Sequence, residues 1–127
     1  MSAPFTPLLS PPWLNQLAPD AIMIASVLER AVVGKDAIVN VVQTAGALYE
    51  AHSVVFSASF GDRELFEYDA VAFGDVALHG VVTLTRDGTG AIVAVGVHHS
   101  PLSAVNKLSS ALKERLGTAL GAEFFLR

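Results

Sequence analysis

Apolar and polar positions alternate along much of the chain and fall into one-sided stripes in two places. Residues 75–85 are mostly apolar and β-branched, residues 86–90 read RDGTG, and residues 91–97 are apolar again. Asp87-Gly88, with Gly90 two positions on, supplies the positive-φ sites a short hairpin loop needs. The stretch therefore predicts a long hairpin at the centre of an antiparallel sheet. Upstream, Val54, Phe56, Ala58 and Phe60 alternate with Val55, Ser57 and Ser59, which predicts a strand with one apolar face. Phe66, Tyr68, Ala70 and Ala72 then alternate with Glu67 and Asp69 in the next strand. Residues 21–27 are apolar at nearly every position and predict a strand covered on both faces.

The stripes predict helices. Ile38, Val41, Val42, Ala45 and Leu48 follow helical spacing after Gly34, with Asp36 placed to suit the helix dipole. Val105, Leu108, Leu112 and Leu116 form a second stripe, opened by Ser100 as cap and Pro101, and closed at Gly117. Residues 10–17, with Ser10 as cap, predict a short helix behind a loose arm that carries Phe5. Phe124, Phe125 and Leu126 require a docking site on this subunit or another. The expected organisation is one domain, 1–127: a helical arm over 1–18, a body over 19–117 and a tail over 118–127.

Composition narrows the functional field. The net charge is −4 and no basic cluster exists, which excludes phosphate-backbone binding as a plausible role. Cysteine is absent, removing disulfides, thiolate chemistry and cysteine-type zinc sites. This suits a reducing cytoplasm, the expected location. No apolar run reaches membrane-span length, and no charged leader precedes the early prolines. At 52% apolar and 16% charged, the chain is rich in apolar surface for its size. Some of that surface is expected to be covered by a second subunit or to surround a ligand.

Five short motifs carry a resemblance: PDAIMI at 19–24, GKDAI at 34–38, FGDVALHGVVTL at 73–84, DGTGAIV at 87–93 and SPL at 100–102. In this order and spacing, over residues 18–117, the chain resembles the nuclear transport factor 2-like (NTF2-like) superfamily, its SnoaL-like branch most. The resemblance implies an α+β cone, also called a cystatin-like roll: a strongly curved antiparallel sheet packed on helices around an apolar pocket. It also implies a homodimer through the outer sheet face, with His79, Val81 and Thr83 at or near the interface. Here the N-terminal helical segment is shorter than the family's. The pocket is therefore expected to be either open or plugged by Trp13, by Phe5 or by the Phe124–Phe125 tail. In the isomerase branch a carboxylate base lies on the first strand and a protonated acid on the central hairpin. The matching positions hold Ala25 and Val82, neither of which transfers a proton.

The same comparison directs Ala25, Leu78, Val82, Val95, Val97 and His99 inward. With Trp13, Met23, Phe56 and Tyr68 they form the expected wall of a ligand pocket. His99 is the best-placed inward base, and Tyr68 or Asp20 its best partner. Each also has an ordinary structural role open to it: a partly buried ring, a tyrosine at the core edge, a turn acid. His98 and His99 are neighbours on a strand and face opposite sides, so they do not chelate one ion. No metal or cofactor is expected. Glu67 and Asp69 share a face, more simply as a solvated surface than as paired acids. Ser57 and Ser59 sit in no Gly-x-Ser-x-Gly pattern.

Three readings remain open: a domain that binds a small apolar molecule; an isomerase-, cyclase- or dehydratase-type enzyme using His99 with Tyr68 or Asp20; and a structural dimerisation module that fills its own pocket.

Overall fold

The computed structural model describes residues 11–127. The expected arm, with Phe5 and the capping Ser10, lies outside the described residues. A 3-10 turn at Pro12–Gln16 leads into β1 (Leu17–Ala25), the short β2 (Val32–Val33), α1 (Lys35–Leu48) and β3 (Tyr49–Phe60). Then come β4 (Arg63–Ala72), β5 (Val76–Arg86), β6 (Ile92–Ser100), α2 (Leu102–Leu120) and a last 3-10 turn at Ala122–Phe124. The six strands form one open sheet in the order β2-β1-β6-β5-β4-β3. The architecture is α+β, a cystatin-like cone in which the two helices pack against the inner face of the sheet.

The pairing is mixed rather than wholly antiparallel, because β1 runs parallel to β6. The central hairpin forms as expected, β5 pairing with β6 from His79–Ser100 to Arg86–Ile92. Its loop is fastened by Asp87, whose carboxylate accepts from the Thr89 hydroxyl and from the amides of Thr89 and Ala91. Those bonds hold the Asp87 carboxyl below its ordinary pKa. Inner-face positions alternate along both strands: Leu78, Val82, Leu84 and Val95 are buried, and so are Leu108 and Leu112 of α2 opposite them.

Several boundaries differ from the sequence expectation. The residue 10–17 helix is only a 3-10 turn, and Leu17 already belongs to β1. Residues 21–27 are not covered on both faces: Ile22 and Ile24 are 45% and 55% exposed, beside Ala94 and Gly96 on the outer face. Gly117 does not stop α2. The helix continues to Leu120 and ends at Gly121, whose φ of 113° is a conformation glycine adopts without strain. Ser100 belongs to β6 and gives α2 no side-chain cap.

The aromatic tail docks on its own subunit. Phe125 is 1% exposed and bridges to Leu28. The buried Ser109 hydroxyl donates to the Val27 carbonyl at 2.8 Å and accepts from the Leu126 amide at 3.0 Å. One side chain of α2 thus joins the end of β1 to the tail. Among the described residues no helix is long and apolar enough to cross a membrane.

Candidate functional site

The site is built by two irregularities of β3 and one glycine of β5. The register of β3 on β4 slips between Tyr49 and Ala51 and again between Val54 and Phe56. A bulge shifts the inward–outward alternation by one residue. The first slip puts Tyr49 and His52, three residues apart, on the same inner face, opposite Ala72 and Ala70. The second returns the strand to the opposite phase and places Phe56 opposite Glu67, on the outer face.

Tyr68, Gly80 and His99 stand in register across β4, β5 and β6. The middle position has to be glycine. A Cβ on Gly80 would lie 2.4 Å from Tyr68 Cζ and 2.8 Å from its hydroxyl. The Tyr68 ring lies in that space and reaches over β5 to His99. Its hydroxyl is 2.5 Å from His99 Nε2, the Tyr49 hydroxyl is 2.9 Å from the same nitrogen, and the two hydroxyls are 3.0 Å apart. The His99 backbone is held from the other side, its amide donating to the Ser26 hydroxyl at 2.9 Å. His52 packs against Tyr68 with ring centroids 4.9 Å apart.

These groups line an otherwise apolar cavity of about 60 Å³, walled by residues of β1, α1, β3 to β6 and α2, with Pro11 and Trp13 also on its wall. Its electrostatics follow from burial. Desolvation pushes the Tyr49 phenol up to about 12 and the Tyr68 phenol well above its ordinary value, with neighbouring Tyr49 adding to the latter. Burial, with smaller contributions from His98 and His79, lowers His99 to about 4, and burial also lowers His52. At neutral pH every titratable group on the wall is uncharged. Three buried side-chain polar atoms have no partner among the described residues: Trp13 Nε1, His52 Nε2 and His99 Nδ1. All three belong to residues that line this cavity.

Of the residues expected to line a pocket, the structure brings Trp13, Met23, Ala25, Tyr68, Val82, Val97 and His99 to this wall. Leu78 and Val95 face inward but are buried in the core away from it. Phe56 is displaced by the second bulge and is 52% exposed. Asp20 is exposed near the start of β1 and does not join His99. Of the expected plugs, Trp13 lines the cavity, whereas Phe124 and Phe125 do not. Tyr49 and His52 went unread in the sequence, because the alternation that begins at Val54 gives no sign of a slip before it. Their only sequence signal is polar aromatic character immediately after a helix.

On the outer face His79 lies between two carboxylates. Its Nδ1 is 2.8 Å from Asp69 Oδ1 and its Nε2 is 3.0 Å from Glu67 Oε1. Both partners raise its pKa, Asp69 most. Among the described residues no group of three or more His, Cys, Asp or Glu side chains is arranged to hold a metal ion.

No family model and no curated protein matches the sequence. Solved structures do match. A cystatin-like protein from Silicibacter pomeroyi superposes with a TM-score of 0.78 at 20% identity, over 84% of this chain and 75% of that one. A steroid delta-isomerase from Pseudomonas aeruginosa superposes at 0.76 and 22% identity, over 86% and 80%. A protein with a ketosteroid isomerase-like fold from Catenulispora acidiphila, in complex with trimethylamine, superposes at 0.57 and 18% identity, over 76% and 78%. SnoaL-like and NTF2-like proteins match at 0.62 and 14% identity. The chain has the NTF2-like fold. Ala25 and Val82, the positions that the sequence resemblance matched to the isomerase-branch acids, both line the cavity.

Proposed function

We propose that this NTF2-like domain binds a small, largely apolar molecule in the cavity between sheet and helices. The observation that carries the reading is the cavity itself, where Tyr49, His52, Tyr68 and His99 meet an otherwise apolar wall. The rest of the wall is aliphatic or aromatic, as small-molecule sites are. A self-filled structural module predicts no cavity, and the 60 Å³ space weighs against it. The complex of one structural neighbour with trimethylamine is in keeping with an occupant of that size. The test is thermal denaturation against a library of small neutral compounds, read with Trp13 fluorescence. A saturable rise in melting temperature with a matching fluorescence change is expected; no compound doing both overturns the reading.

Catalysis is the second reading, favoured by one observation. Tyr68 and His99 converge within hydrogen-bond reach in one cavity. Against it, a histidine lowered to about 4 is a weak base at neutral pH, and Asp20 is exposed and does not line the cavity.

A homodimer through the outer sheet face belongs to the same proposal. Ile22, Ile24 and Phe56 there are about half exposed and Phe60 is 89% exposed. Such an interface should bury more than roughly 1,000 Å² in total.

A further inference from the structure

We infer that the outer edge of β3 is an interface: two copies of this chain pair there through residues 56–60, antiparallel and centred on Ala58, so that two sheets become one. This contact stands apart from the ligand cavity and from a contact through the outer face, and needs neither.

An edge strand offers a row of backbone donors and acceptors to any extended chain. Proteins blunt such edges with brevity, charge, proline or bulges. The two edges of this sheet differ. At one end, β2 is two residues long. At the other, β3 is twelve residues long and pairs with β4 alone among the described residues. Both of its register slips lie before Phe56, and from Phe56 opposite Glu67 to Phe60 opposite Arg63 the ladder is regular. Residues 51–60 contain no Asp, Glu, Lys, Arg or Pro. Every residue from 54 to 60 is exposed, Phe60 by 89%. The long edge therefore lacks each of the usual protections over its last five residues.

The sequence says what fits that edge. Residues 56–60 read FSASF, the same in both directions. Two antiparallel copies centred on Ala58 set like against like: Phe56 meets the second copy's Phe60, twice, on the outer face, and Ser57 meets its Ser59, twice, on the inner face. Ala58 meets itself on the two-fold axis. Directly opposed side chains have Cβ atoms about 4.5–5.5 Å apart, and aromatic pairs and hydroxyl pairs are among those that stabilise a ladder. Each row across the joined sheet then runs Glu67, Phe56, the second copy's Phe60 and its Arg63, so no like charges meet.

The two phenylalanines are 52% and 89% exposed, which at about 200 Å² per side chain is roughly 280 Å² in each copy. With the serines, Ala58 and both backbones, pairing covers roughly 800–1,000 Å² in total, the size of a weak, reversible contact. The assembly closes at two. Pairing on a two-fold axis uses up the long edge of both copies and leaves only the two-residue β2 at either end.

The chain has no cysteine, so single cysteines report the contact without interference. Opposed residues of an antiparallel pair have Cα atoms about 4.5–5.5 Å apart, within the span of a disulfide. Under mild oxidation Ala58→Cys should cross-link to itself at least about tenfold faster than Val33→Cys on the β2 edge or Ile24→Cys on the outer face. In a mixture, Ser57→Cys and Ser59→Cys should cross-link to each other in preference to themselves. By sedimentation velocity the wild type should show a species of twice the mass that grows with concentration. Ala58→Lys, which brings two ammonium groups together on the axis, should abolish that species and leave the circular dichroism spectrum unchanged. The cysteine comparison decides the matter if Ala58→Lys fails to fold. Equal cross-linking rates at the three positions overturn the inference, and so does a wild type that shows no such growth. A fastest rate at Ile24→Cys overturns it in favour of the outer face. Amide exchange of residues 56–60 should slow as the protein is concentrated; full protection at every dilution means that the edge is covered within one chain, and also overturns it. None of these outcomes bears on the cavity, which compound binding tests.

Discussion

Replacing Gly80 by alanine tests whether the register Tyr68–Gly80–His99 creates the hydrogen-bonded cluster. The new methyl would lie 2.4 Å from Tyr68 Cζ, 2.5 Å from Cε1 and 2.8 Å from the hydroxyl oxygen. Ordinary carbon–carbon contact needs about 3.5–4.0 Å, so the ring must retreat by roughly 1 Å or more. That retreat separates Tyr68 from His99 and from Tyr49. Overpacking alone costs about 1–3 kcal/mol, and each displaced buried hydrogen bond adds about 1 kcal/mol. A total near 3–5 kcal/mol is a large part of a typical 5–15 kcal/mol stability. Urea unfolding followed by circular dichroism should show a clearly lowered midpoint. The stringent control is the Tyr68→Ala background. There the obstructing ring is gone, and Gly80→Ala should be neutral or stabilising by about 0.5–1 kcal/mol, because alanine suits a strand interior better than glycine. An equal cost in both backgrounds, or a cost below about 0.5 kcal/mol in the wild type, would refute the steric account.

Four further outcomes are expected. His99 has a folded pKa of about 4, below its ordinary 6.5, so the fold favours the neutral ring; stability should be full above about pH 6.5 and decline by up to about 3 kcal/mol towards pH 4. Urea midpoints of wild type and His99→Gln across that range check this, and parallel curves count against it. His79 titrates in the opposite sense: its raised pKa makes the carboxylate pairing strongest at low pH and weaker as pH rises through that value, and Asp69→Asn should bring its ring titration down by nuclear magnetic resonance. Ser109→Ala leaves the Val27 carbonyl and the Leu126 amide without their partner and should cost about 1–3 kcal/mol, with faster amide exchange in the tail than in the rest of α2. Phe56→Ser with Phe60→Ser should leave the fold intact and lower the sedimentation coefficient if the outer face joins two copies; an unchanged coefficient in a dimeric protein places the interface elsewhere.

The fold was legible because its longest elements obey simple periods. The hairpin announces itself through Asp87, Gly88 and Gly90, and the helices through the stripes from Ile38 and Val105. The site was only half legible. Alternation grouped Tyr68 with Phe66 and Ala70, and the resemblance directed His99 inward; the two stand in register across Gly80 on the inner face. Counting failed on β3, where two slips invert the phase twice. One error therefore has two symptoms: Phe56 was sent inward, and Tyr49 and His52 were overlooked. The stop of α2 shows a different limit. Gly117 and Gly121 are both glycines near the helix end, and only the backbone angle at the second distinguishes a terminus from an interior residue.

The parallel contact of β1 with β6 ties the two ends of the chain's history together. As the polypeptide emerges from the ribosome, β1 is made early, and its one substantial neighbour, running from Ile92 to Ser100, comes roughly seventy residues later. Until then β1 has only the two-residue β2 beside it, while α1 and the β3–β4 hairpin can already form. Assembly is therefore a late closure rather than a progressive zippering, with loop-closure entropy as the barrier. A nascent chain halted before residue 92 should expose Ile22 and Met23 together, and is the form a chaperone would meet.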